Sequence, residues 1–141
     1  MELRCNDEKE GMIMQKDSVR DYTTTAFRIY SALGQPDEHT INSMHNQTIA
    51  VKFDLTAVHK TMEHLRCSGK TDICKAIEAV YFAEPTKEIK RNEIRDRVIS
   101  FSIRYFTSER NVWRWLKEGR NLCALYRGLN IASINEILDE S

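Results

Sequence analysis

The chain has 141 residues, of which 41% are hydrophobic and 30% charged, with a formal net charge of zero and a mean hydropathy of -0.52. That length suits one domain with one core, and the composition excludes disorder as the main state. No uninterrupted apolar run exceeds five residues, as in Ala79 to Ala83, against roughly 20 for a spanning helix and about 7–15 for the core of a signal peptide, so a soluble, cytoplasmic protein without membrane contact is expected.

Five Gly and two Pro are too few for a turn-rich β-fold, and the frequent Lys, Arg, Glu, Ile, Leu and Ala favour helices. An all-α protein, a compact helical bundle, is therefore expected. Gly69-Lys70-Thr71 has the form of the end of a phosphate-binding loop, but such a loop needs a Gly five residues before the second Gly, where His64 stands.

In chain order, residues 1–16 carry a charged stretch, Asn6 to Glu10, without periodicity and are expected to be a flexible tail, with order starting near Met12 or Met14. Residues 17–69 are expected to form an N-terminal helical part for packing or dimerisation. Its first helix is capped by Asp17 or Ser18, has Val19, Tyr22, Ala26, Ile29, Tyr30 and Leu33 on one face, and stops at Gly34 and Pro36. Residues 37–50, with Ile41, Met44 and Ile49 as anchors, are expected to be a loop or a short helix. Asp54 is expected to cap a helix through about Arg66 that has Leu55, Val58, Met62 and Leu65 on its apolar stripe and Gly69 at its end.

Thr71 is expected to cap the next helix, which runs through Phe82 with Ile73, Ile77, Val80 and Tyr81 inward and Pro85 marking the break. From about Thr86 to Phe106, the positions Ile94, Val98, Phe101 and Tyr105 fall on one helical face. The last long helix starts after Ser108 and runs to Tyr126 or Arg127, with Val112, Trp115, Leu116, Cys123 and Tyr126 inward and Gly128 as a left-handed stop. Residues 131–141 are expected to be a short C-terminal helix or tail, with Ser133 capping Ile134, Ile137 and Leu138.

The four Cys (Cys5, Cys67, Cys74, Cys123) are expected as reduced, mostly buried thiols. His64, Cys67 and Cys74 have two helical spacings that a metal could use, but no fourth ligand lies nearby and there is no Cys-x-x-Cys, so neither a metal nor a cofactor is expected. His59 and Glu63 are expected to make a surface contact. No nucleophile elbow occurs, and the acids Glu93 and Asp96 alternate with Lys90, Arg91, Arg95 and Arg97 as a solvated face does, so an enzyme is not expected.

The zero net charge conceals an asymmetry. From Lys87 to Gly128 there are eleven basic residues against five acids, a net +6 that the rest of the chain cancels. Such a division suggests an anionic partner for the basic part. Arg110, Arg114, Lys117 and Asn121 recur at i, i+4, i+7 and i+11 on the outer face of the last helix.

The stretch Ser102-Ile-Arg-Tyr105-Phe106-Thr107-Ser108-Glu-Arg-Asn-Val112-Trp113-Arg114-Trp115-Leu116 resembles a helix-turn-helix DNA-binding motif, small-x-x-Leu-Gly-Val-Ser-x-x-Thr-Val-x-Arg-Trp-Leu. Ser102 lets two helices approach, Tyr105 and Val112 lock them, and Ser108 caps the second helix. Phe106 stands where the motif usually has Gly. The run from Ala76 through Leu129 is also similar in pattern to small phage-encoded late-gene regulators. The resemblance implies a helix-turn-helix-like tri-helical unit over residues 70–130, binding duplex DNA as a transcription regulator and as a homodimer. Arg110 and Arg114, with Asn111, would reach base edges, while Lys117, Arg120 and Arg104 would meet phosphate and Trp113 the backbone. The competing expectation is a small helical protein–protein interaction module in which the basic helix meets an acidic protein surface and the N-terminal helices hold a dimer or a host factor.

Overall fold

The computed structural model describes residues 16–129. Six α-helices occur among them: α1 (Lys16–Ala32), α2 (Glu38–Asn42), α3 (Ile49–Cys67), α4 (Thr71–Ile77), α5 (Arg91–Arg104) and α6 (Glu109–Arg127). A π-helical segment, Glu78–Phe82, continues α4. No strand is present among the described residues, so the fold is all-α. The expected tail short of Lys16, with Cys5, Met12 and Met14, lies outside the described residues, as does the expected turn at Ser133. Among the described residues no helix is long and apolar enough to cross a membrane.

The periodic apolar positions build the core. Leu55, Val58, Met62 and Leu65 of α3 are fully buried, with Ile77, Val80 and Tyr81 beneath them and Val98, Phe101, Val112 and Leu116 from the last two helices. The α3–α6 contact is the largest between helices, and α6 also packs on α1, α4 and α5. The N-terminal helices thus share one core with the tri-helical part rather than lying beside it. α4 and α6 approach closely at Gly119, where an added Cβ would lie 2.6 Å from Ile77 Cδ1. Any side chain at this position would force the buried Ile77 to move.

Several boundaries differ from the sequence expectation. α3 begins five residues before Asp54, because Thr48 caps it by accepting from the Val51 amide. Asp54 accepts instead from Tyr22 Oη at 2.6 Å and Arg127 Nε at 2.5 Å, joining α1, α3 and α6. Ile49 is consequently exposed rather than an anchor. Asp17 and Ser18 lie inside α1, and Thr71 is the first residue of α4 with no side-chain cap before it. α5 starts at Arg91, so it has 14 residues and Thr86 to Lys90 are not helical. The stretch 37–50 does contain a short helix, α2, which Asp37 caps through the Thr40 amide.

The end of the π-helical segment has an uncommon cap. A helix leaves its last carbonyls without internal partners, and here three side chains from other helices supply them. Arg97 donates to Val80 and Ala83, Arg28 to Tyr81, Ala83, Glu84 and Lys87, and Ser31 to Phe82. Arg28 is 8% exposed, and burial together with the neighbouring Arg97 guanidinium lowers its pKa. Arg97 also pairs with Glu84 at 3.3 Å. Two cations at a helix C-terminus also suit the negative end of its dipole.

Candidate nucleic-acid interface

The turn between α5 and α6 is set by hydrogen bonds at both ends. Ser102 is buried and gives its hydroxyl to Ile99 O within α5, and its small side chain suits a close approach of packed helices. The Thr107 amide donates to Ser102 O and the Phe106 amide to Ile103 O, the paired bonds of a Schellman stop. Ser108 then caps α6 by accepting from the Asn111 amide at 3.1 Å, and Asn111 Nδ2 donates to Thr107 Oγ1.

A Schellman stop needs a left-handed residue. Three other helices, α1, α3 and α6, use glycine for it, at Gly34, Gly69 and Gly128. α5 uses Phe106, with φ of 53°. The turn therefore keeps the backbone of the glycine position while carrying a bulky side chain there, at a cost of roughly 1–2 kcal/mol. Two other non-glycine residues have positive φ, Gln35 and Glu84. Glu84 is held by bonds from Arg28 and Arg97. The Phe106 ring is 96% exposed and its packing offsets nothing. Phe106→Gly is accordingly expected to stabilise the protein by about 1 kcal/mol, since glycine relieves the strain but makes the unfolded chain more flexible. Urea denaturation followed by circular dichroism measures this, and a destabilised Phe106→Gly protein would show that the ring is anchored in the fold.

The basic positions of α6 divide into two groups. Arg110, Arg114 and Lys117 are all exposed, and their spacing puts them on the face opposite Val112, Leu116 and Cys123. The row runs about 10 Å along the helix. Arg114 donates to Asn111 Oδ1 at 2.8 Å, which fixes these two side chains together. Arg110 lies in the first turn, the positive end of the helix dipole, where a cation is unfavourable by a few tenths of a kcal/mol. Phe106 and Arg110, four residues apart, are thus both placed against local stability. Arg104 is exposed at the end of α5.

The second half of α6 is committed to the fold. Arg120, expected to meet phosphate, is half-buried and donates to Tyr81 Oη at 2.8 Å. Trp113, 38% exposed, lies beside it in an open hollow of about 430 Å³ that Tyr81, Ile89 and Ile94 also line. This hollow is on the flank of α6, away from Arg114. Asn121, at the far end of the predicted row, is half-buried, and its Nδ2 has no hydrogen-bond partner among the described residues. Arg127 is tied to Asp54 and lies over the Tyr22 and Phe53 rings. Lys87 pairs with Glu93, and Lys70 with Glu118 at 2.6 Å.

Two expected core aromatics lie at the surface. Tyr105 is 41% exposed: it stacks on Phe101 with ring centroids 4.2 Å apart, and the Lys75 ammonium covers it at 5.8 Å. Tyr126 is also exposed, with its hydroxyl 3.0 Å from His64 Nδ1. Trp115 is half-buried against the core. The thiols are dispersed: Cys74 and Cys123 are buried and Cys67 is exposed, and burial pushes the Cys123 thiol up to about 12. No group of three or more His, Cys, Asp or Glu converges as metal ligands would among the described residues.

No family model, no curated protein and no solved structure matches this chain.

Proposed function

We propose that the protein binds duplex DNA through the first half of α6, entering the major groove with Arg110 and Arg114 and meeting phosphate with Lys117 and Arg104. The observation that carries this is the exposed row Arg110, Arg114 and Lys117, free of any acidic partner in the ion pairs of the described residues and presented by a helix that a short turn holds against α5. Arg pairs two-fold with the guanine edge, and Asn111 is placed beside Arg114 to orient it. The left-handed turn residue and the Ser108 cap support the likeness to a helix-turn-helix at the level of backbone geometry. Within this proposal the protein is a transcription regulator of the small phage-encoded kind. A homodimer belongs to the same proposal, with the exposed Ile49 and Phe53 of α3 as the apolar face available for pairing.

Trp113 and Arg120 are left out of the proposed contact, because the hollow they share is on the flank of α6. Mapping amide chemical-shift changes on addition of a random-sequence duplex tests the assignment. Shifts concentrated between Arg104 and Lys117 are expected. Shifts confined to α1 and α3 would remove α6 as the reader.

A further inference from the structure

We propose that Phe106 is an apolar base contact, reading the C5-methyl group of thymine at the edge of the surface made by Arg110 and Arg114. This inference rests on the duplex-DNA reading above and adds a residue to it. Phe106 occupies a backbone position that glycine fills at three other helix ends, and its ring is 96% exposed. Among the described residues neither the fold nor the turn gains from the ring, which leaves it open to a partner. Ile103, 70% exposed and one helical turn back, extends the apolar surface, which therefore has an aromatic tip and an aliphatic base.

The surrounding charge selects the partner. Between Ile103 and Lys117 the charged residues are Arg104, Glu109, Arg110, Arg114 and Lys117, four cations and one acid. An apolar tip in that setting suits a polyanion that also presents an apolar group. Duplex DNA does so in the major groove, where the thymine methyl is the one apolar feature among hydrogen-bonding base edges. A helix that enters the groove by its N-terminal end brings the preceding turn to the groove as well, and Phe106 is the outermost side chain of that turn. The strain at Phe106 is then offset in the complex, where the ring leaves water.

The test uses two labelled duplexes of 20 base pairs, about two helical turns: alternating dA-dT, and the same sequence with dU for dT. Wild-type protein is expected to prefer the thymine duplex by about fourfold, the value of one buried methyl. Phe106→Ala keeps the strain and loses the ring, whereas Phe106→Gly loses both and folds more stably. Both variants are expected to bind the two duplexes equally, with affinity for the thymine duplex reduced at least as much. If Phe106→Ala and Phe106→Gly bind as wild type does, the inference is overturned. If they bind both duplexes equally weakly while wild type shows no thymine preference, the ring meets the backbone and the methyl assignment is overturned. Arg110→Glu combined with Arg114→Glu separates the two levels. Loss of binding in that variant, with Phe106→Ala unchanged, leaves the DNA reading standing and removes only the Phe106 contact. Unchanged binding in the charge-reversed protein removes both.

Discussion

Replacing Arg28 by Met is expected to destabilise the protein by about 3–4 kcal/mol, because a buried and hydrogen-bonded charge is removed. Arg28 donates to the carbonyls of Tyr81, Ala83, Glu84 and Lys87, and it does so from the buried face of α1. Met fills a similar volume but cannot donate, so the buried Tyr81 carbonyl would be left without the Arg28 bond and the Glu84 and Lys87 carbonyls would lose theirs, while Ala83 keeps its bond from Arg97. Hydrogen bonds from a charged donor contribute about 1.5–3 kcal/mol each, and the desolvation cost already borne by the guanidinium is recovered in part. Arg28→Lys retains the charge and one point of donation and should fall between Met and wild type. Urea denaturation reads the difference. A loss of under about 1 kcal/mol in Arg28→Met would mean that water replaces the side chain at these carbonyls.

Arg110→Glu with Arg114→Glu is expected to weaken duplex binding by more than about a hundredfold, since two cations that enter the groove and pair with base edges are lost and two anions repelled by the duplex are gained. The fold should tolerate the change within about 0.5 kcal/mol, because both side chains are exposed. Arg110→Glu alone should raise stability slightly, as an acid in the first turn of α6 suits the helix dipole that the arginine opposes. Opposite signs for stability and binding at one residue are what a functional placement produces. If the double variant bound duplex as tightly as wild type, α6 would not be the binding element.

Much of this arrangement can be read in the sequence, for physical reasons that also mark the limits. The stripes of α3 and α6 follow the 3.6-residue period, and Ser108 and Gly128 act locally, so their roles are visible in a few neighbouring residues. The exposed row Arg110, Arg114 and Lys117 is of the same kind. Arg28 is different. It lies between Phe27 and Ile29 in an apolar stretch, and its partners are carbonyls 53 to 59 residues away, which no periodicity encodes. The start of α3 fails for a related reason: Thr48 and Asp54 are both good caps, and the choice is made by Tyr22 and Arg127, which engage Asp54 from two other helices. Arg120 is indistinguishable from a phosphate contact until Tyr81 is placed beside it. Phe106 gives a local signal, a bulky residue at a glycine position, but its meaning depends on whether the backbone stays left-handed, and it does.

The salt dependence of duplex affinity tests the central claim most directly. A labelled duplex of random sequence is titrated with the protein and followed by fluorescence anisotropy at several salt concentrations between about 50 and 200 mM. Contacts from Arg104, Arg110, Arg114 and Lys117 would release condensed counterions, and a plot of log K against log salt is expected to have a slope of about −3 to −4. Over that range the Kd rises by about a hundredfold. No binding at the lowest salt, or a Kd that hardly changes across the range, would contradict a phosphate-contacting α6 and leave the basic face to an acidic protein surface.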